Sequence, residues 1–253
     1  MNVLQILMFA AIVLEVIFVP IFLKNEWPNR SYRSLAYKQL CSALFLVVGL
    51  CAIFHAKNYS AYSWLVLGAL VGSFIGDALL HYEAIIKKKQ FFLYGMIAFA
   101  LSHILYLAAY AIAFSRLFPG QSPVAWYEIL ILILVLAAAA LLMKPLQVEA
   151  GKLKIPMALY TAILAAMVIH ACYLAISCVR AGFPLRFSIL FLLGGGALLF
   201  AISDGTLALL NFTDRKKYSL RCLNIITYYA AQCMLAATIL CFPARPRIPH
   251  KGL

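Results

Sequence analysis

Two aspartates stand where a carboxylate is costly. Asp77 lies in "SFIGDALL" (73–80) and Asp204 in "LFAISDGTLALLNF" (199–212), both inside apolar runs. A charged group at the centre of a bilayer costs about 3 kcal/mol on insertion scales, so such residues face a bundle interior and mark function. Two carboxyls in different surroundings can divide acid–base work, one giving a proton and the other stabilising positive charge or activating water. Of the eight acidic residues, only Glu15, Asp77 and Asp204 fall within apolar segments. Glu26, Glu83, Glu149 and Asp214 read as loop residues, and Glu128 as a residue near a helix start. Glu15 stays open between three readings: a neutral acid, a partner for Lys38, or a group lining a path.

The elements that must position these groups are membrane helices. The chain is 66% hydrophobic and 11% charged, against about 45–50% and 25% in soluble domains. Eight apolar segments are expected, at 3–23, 36–55, 60–80, 91–114, 124–143, 155–178, 186–210 and 222–242. Each is close to the roughly 20 residues a spanning helix needs. The fold class is therefore all-α, a polytopic membrane bundle forming one domain over 1–243, followed by a basic Pro-rich tail over 244–253. The first segment begins at residue 3 without a basic start, unlike a cleavable signal.

The net charge of +13 does not point to nucleic acid, because the basic residues sit between apolar runs. Fourteen of the 21 Lys and Arg fall in or near the connections after segments one, three, five and seven, and seven on the other side. Positive residues favour the cytoplasmic side, which puts both termini outside or in the lumen. Seven cysteines, none in a CxxC pair, read as small buried hydrophobes. The five histidines form no metal-ligand pattern; Asp77 and His81, one turn apart, fall short of the three or four ligands of a zinc site. No metal and no cofactor is expected.

On these boundaries Asp77 and Asp204 lie roughly 6 and 10 Å from the cytoplasmic ends of their helices. Segment three carries Gly68, Gly72 and Gly76 at four-residue spacing, and segment seven Ala197, Ala201 and Gly205. Small-xxx-small ridges let membrane helices approach closely. Packing of the two ridges near each other would bring the carboxylates to one cavity. Segment four adds Phe99, His103, Tyr106 and Tyr110 on one face, and segment eight adds Tyr229 and Gln232 in "TYYAAQ". His170, without such company, reads as structural.

Four stretches in order, "GDALL" (76–80), "GMIAFALSHILY" (95–106), "GALLFAISDGTLALLNF" (196–212) and "TYYAAQCMLA" (227–236), resemble the lysoplasmalogenase family of YhhN-like membrane proteins. The resemblance covers most of the chain from residue 60 onward. Near segment two the family often shows Lys-Pro where this chain reads Lys38-Gln39. The resemblance implies hydrolysis of the vinyl-ether bond of lysoplasmalogens to a fatty aldehyde and a glycerophospho-ethanolamine or -choline. It also implies that Asp77 and Asp204 are the two essential aspartates. His103, Tyr106, Tyr229 and Gln232 would orient water or bind the ether and glycerol oxygens, and Lys38, Lys87 or Arg215 would hold the lipid phosphate. Asp77 is the first choice for the acid, with Asp204 facing water. The partners implied are the lysophospholipid and the surrounding lipid, and self-association stays open. The membrane would be the endoplasmic reticulum in a eukaryote or the inner membrane in a bacterium. The rival reading is a proton-coupled transporter using the same aspartates, although no internal repeat supports it. An intramembrane aspartyl protease is disfavoured, since "FIGD" has Phe where its Gly-x-Gly-Asp motif needs Gly.

Overall fold

A backbone in lipid must satisfy its own hydrogen bonds, and helices do so within each segment. The computed structural model describes residues 2–242; the tail expected over 244–253 lies outside the described residues. Eight helices are long and apolar enough to cross a membrane. They are α1 (Val3–Glu26), α2 (Tyr32–Ala56), α3 (Ala61–Ile86), α4 (Gln90–Leu117), α5 (Trp126–Met143), α6 (Lys154–Arg180), α7 (Arg186–Phe212) and α8 (Tyr218–Ala237). No strand occurs among the described residues.

Local signals start and stop these helices. Asn2 and Gln5 form a reciprocal capping box at the head of α1, and Ser31 and Ser34 do the same for α2, each satisfying two backbone donors. Helix α3 ends where Lys87 turns left-handed (φ 59) and its N–H donates to the Glu83 carbonyl at 2.7 Å. Helix α7 is not uniform: an α-helical turn, Arg186–Ile189, leads into a π-helical stretch, Leu190–Gly195, before α-helix resumes over Gly196–Phe212.

Helix α8 is the centre of the bundle, touching α1, α2, α3 and α7, whereas α5 packs on α6 at the periphery. The interior between them is aromatic: Phe22, Phe45, Tyr62, Tyr106, Tyr110, Phe114 and Phe200 are fully buried. The lipid-facing surface is aliphatic, as in Val3, Ile6 and Val16 of α1 or Ile129, Ile133 and Leu134 of α5.

Two expectations change here. The helices run further than the apolar runs do; at the end of α1 and the start of α8 the charged residues Glu26 and Arg221 are paired and buried. Asp77 consequently lies nine residues before Ile86 and Asp204 eight before Phe212, both about 12–14 Å deep at the helical rise. Their common level survives; the shallow placement does not. The glycine ridge also has a different partner. A Cβ on Gly76 would fall 2.6 Å from the Phe99 ring, and one on Gly72 would fall 3.3 Å from Ala98 O and Ser102 Cβ. The ridge of α3 therefore seats α4, not α7. On α7, Gly205 meets nothing within 4 Å, and it is Gly196 that lies against Leu235 and Met234 of α8.

The replacement Gly76→Ala forces Phe99 out of place and should cost about 1–3 kcal/mol, the usual range for overpacking. Gly205→Ala should leave stability unchanged or raised. Thermal unfolding of the two purified variants in detergent checks the contrast.

Candidate active site

Helices α2, α3, α4, α7 and α8, with Arg30 of the α1–α2 connection, line a cavity of about 40 Å³ on the side of the most basic connections. That is room for about two or three waters. Asp77 and Asp204 both line it, with Arg30, Lys38, His81, Glu83, Phe92, Phe99, Arg221, Asn224 and Tyr228 also in its wall. Three cationic and three carboxylate side chains thus share one small chamber inside a membrane bundle.

Asp77 is buried on α3 and held from two other helices. Lys38 Nζ of α2 lies 2.9 Å from its Oδ1. Ser42, one turn after Lys38 and so on the same face, donates to Oδ2 at 2.6 Å. Tyr228 of α8 donates to the same oxygen at 2.7 Å. Asp204 is surrounded differently. Its Oδ2 accepts a short hydrogen bond from Tyr160 of α6, and His103 Nε2 of α4 stands 3.6 Å away. His103 Nε2 is also 3.1 Å from the Tyr160 hydroxyl, so Asp204, Tyr160 and His103 form a closed triangle. The Phe200 ring packs edge-on against His103 at 4.8 Å. One carboxylate faces a fixed ammonium; the other faces two groups that can each hold or pass a proton.

A second network walls the cavity. Glu26, the last residue of α1, takes a two-pronged contact from Arg221 of α8, with Nη2 at 2.7 Å and Nε closer still. Arg221 Nη1 donates to Asn224 at 2.8 Å, and Asn224 Nδ2 donates to the Ser203 carbonyl and hydroxyl at 2.9 Å. Ser203 precedes Asp204, so this chain of bonds positions the second aspartate. His81 Nε2 meets Ser34 at 2.8 Å. Among the described residues no group of three or more His, Cys, Asp and Glu side chains converges as metal ligands would.

The other expected residues separate into those beside the chemistry and those away from it. Lys38 is not a charge at the membrane surface but the buried partner of Asp77. Glu15 therefore does not pair with Lys38; both its carboxyl oxygens are buried without a hydrogen-bond partner. Tyr106 donates to Gln232 at 2.9 Å, and neither lines the cavity. Tyr229 donates to the Lys38 carbonyl at 3.1 Å, behind the site, while its neighbour Tyr228 faces in. Neither Lys87 nor Arg215 lines the cavity, whereas Arg30 and Arg221 do. His170 is structural as expected, 2.8 Å from Glu128. Glu26 and Arg221, read as loop charges, are 2% and 4% exposed. They are 195 positions apart, and no local pattern links them. Ser42 and His81 did carry a signal, each one turn from a charged residue of the site.

The sequence profile of the YhhN family matches residues 35–239. The chain belongs to the YhhN family. The lysoplasmalogenase TMEM86B of Homo sapiens is 34% identical over 204 residues, covering 81% of this chain and 73% of the human protein. The Rattus norvegicus lysoplasmalogenase TMEM86B is 32% identical over 204 residues, 81% of this chain and 70% of its own. Lysoplasmalogenase TMEM86A of Bos taurus is 33% identical over 167 residues, 66% of this chain and 61% of the bovine protein. No solved structure matches the chain. The YhhN range contains Lys38, Ser42, Asp77, His103, Tyr160, Asp204, Arg221 and Tyr228, while Glu26 and Arg30 precede it.

In this YhhN-family chain the Glu26–Arg221 contact should be costly to halve. Arg221→Ala leaves the buried Glu26 carboxylate with only the longer Arg30 contact at 3.5 Å, a loss toward the low end of the about 3–5 kcal/mol for breaking a buried pair. The double replacement Glu26→Leu with Arg221→Leu should recover much of it. Detergent-resistant folded yield and unfolding midpoint of the two variants measure the difference.

Proposed function

We propose that this protein is a lysoplasmalogenase, a membrane-embedded hydrolase of the vinyl-ether bond of lysoplasmalogens. The observation that carries the reading is the sharing of one small polar cavity by Asp77 and Asp204, in a chain whose relatives bear that enzyme's name. The products would be a fatty aldehyde and glycerophospho-ethanolamine or -choline.

The chemistry needs a proton on the alkene carbon remote from oxygen. This leaves an oxocarbenium ion, with the charge shared between the ether oxygen and the adjacent carbon. Water adds to that carbon and loses a proton, giving a hemiacetal. Collapse of the hemiacetal breaks the carbon–oxygen bond, releasing the aldehyde and the glycerol hydroxyl. The proton taken from the enzyme is returned, and one water is consumed. Glycosidases stabilise a similar cation with two carboxyls in different roles.

The surroundings of the two aspartates favour an assignment opposite to the first choice from sequence. Asp77 is met by an ammonium and two hydroxyl donors and suits the carboxylate that stabilises the cation and orients water. Asp204, with Tyr160 and His103 behind it, suits the proton donor, because the two groups behind it can return the proton. Lys38, Tyr228, Tyr160 and His103 act through the aspartates and are positioning residues. Tyr106, Tyr229 and Gln232 shape the wall behind them.

The excess of Lys and Arg at the connections on the cavity's side puts the site toward the cytoplasm. Both termini then lie outside or in the lumen. For a eukaryotic chain the proposed membrane is the endoplasmic reticulum.

Aldehyde release from lysoplasmalogen by the detergent-purified protein is the direct test, and turnover would separate this reading from proton-coupled transport. Asp77→Asn and Asp204→Asn should each lower kcat by at least about 100-fold, the low end for a lost acid–base group, with the folded yield retained. Tyr160→Phe and Tyr228→Phe each remove one donor to a carboxylate, worth about 1.5 kcal/mol, so roughly tenfold in kcat. An active Asp204→Asn would overturn the assignment of roles.

A further inference from the structure

Six charged side chains line the cavity, and four of them are committed. Lys38 is engaged by Asp77 at 2.9 Å. Arg221 uses Nε and Nη2 on Glu26 and Nη1 on Asn224. Asp77 has three donors, and Asp204 has Tyr160. One charge of each sign is left over. Arg30 touches only Glu26, through Nε at 3.5 Å, and its side chain is 28% exposed. Its two terminal amino groups make no hydrogen bond among the described residues. Glu83, half-buried in the last turn of α3, makes no side-chain hydrogen bond or ion pair among the described residues. No contact within 4.0 Å joins Arg30 to Glu83.

We propose that Arg30 and Glu83 form a head-group subsite for a zwitterionic lysophospholipid. Arg30 takes the phosphodiester and Glu83 takes the ammonium of ethanolamine or choline. The inference rests on the hydrolase reading and adds what that reading leaves open, the head group the enzyme selects.

The chemistry matches on both sides. A guanidinium with a free planar fork binds phosphate oxygens in pairs, which a point-like ammonium does not. Burial and the Arg221 charge pull the Arg30 guanidinium down from its ordinary value, while the Glu26 and Glu83 carboxylates act the other way. Glu83 is thus near enough to act on Arg30 through space, yet no ion pair joins them. The phosphate and ammonium of the head group are separated by two carbons, so one zwitterion can meet both charges. Phe92 lines the same cavity, and an aromatic ring is a suitable neighbour for the methyl groups of choline. The vinyl ether and the phosphate sit at opposite ends of one glycerol unit. A phosphate subsite must therefore open into the cavity that holds the two aspartates, and Arg30 does so.

Equilibrium binding in detergent tests this without turnover. The probes are an uncleavable 1-alkyl-ether lysophosphoethanolamine and its phosphoglycerol counterpart, which has the phosphate but no ammonium. The wild type should bind the ethanolamine head roughly tenfold tighter, about one charge-assisted contact. Glu83→Gln should bring the two within about twofold while leaving the phosphoglycerol affinity unchanged. Arg30→Gln should weaken both, and Arg30→Lys should weaken both by less. Equal binding of the two heads by the wild type, or an undisturbed ratio in Glu83→Gln, would overturn the subsite. Head-group-dependent binding without aldehyde release from any lysoplasmalogen would sink the hydrolase reading alone. Aldehyde release with an unmoved ratio would sink the subsite alone.

Discussion

The constraint on which this bundle depends is the cost of charge in a medium without water. Apolar side chains gain little by leaving lipid for protein, so the hydrophobic effect does not choose helix neighbours in a bilayer. Polar groups do, because an unpaired one is expensive. The buried polar bonds here read as a set of instructions for adjacency. Glu26–Arg221 ties α1 to α8, Lys38–Asp77 ties α2 to α3, Asn224–Ser203 ties α8 to α7, and Tyr160–Asp204 ties α6 to α7. Glu128–His170 attaches the peripheral α5 to α6. Between α3 and α4 the Ser102 hydroxyl meets Ser73 and donates to the Ala69 carbonyl, and the close approach that Gly72 and Gly76 permit adds to these bonds.

The same constraint shapes the chemistry. A polar chamber inside a membrane bundle must balance its charges within itself. Asp77 and Asp204 share the chamber but not their surroundings, one facing Lys38 and the other facing Tyr160 and His103. That asymmetry lets two identical side chains take different roles. It arises from four helices other than their own: α2 and α8 supply the partners of Asp77, and α4 and α6 those of Asp204. Arg30 and Glu83, which form no ion pair with each other, line the same chamber.

Much of this was legible in the chain. The eight spans and the two aspartates that line the cavity follow from hydropathy and from the rarity of acids within it. What misled was the equation of charge with loop. Glu26 and Arg221 fall outside the expected spans because each alone is too costly to bury; paired with each other they lie within helices. Tyr228, which donates to Asp77, is not marked out from its neighbour Tyr229 by the sequence, for a related reason. Neighbours on a helix point about 100° apart, and the apolar pattern of α8, the central helix, does not say which face meets Asp77.

The sequence by itself determined the helices, their number and the residues too costly to be accidental, because these depend on composition and on spacing along one segment. The partner of each helix was decided only in three dimensions. Ridges of small residues on α3 and α7 were equally able to pack on each other or elsewhere, and Phe99 and Ser102 of α4 claimed the first, while on α7 it is Gly196, outside the ridge, that meets Leu235 and Met234 of α8. Contacts such as Glu26 with Arg221 link positions far apart in the chain, and the energy that selects them exists only once both charges have left water.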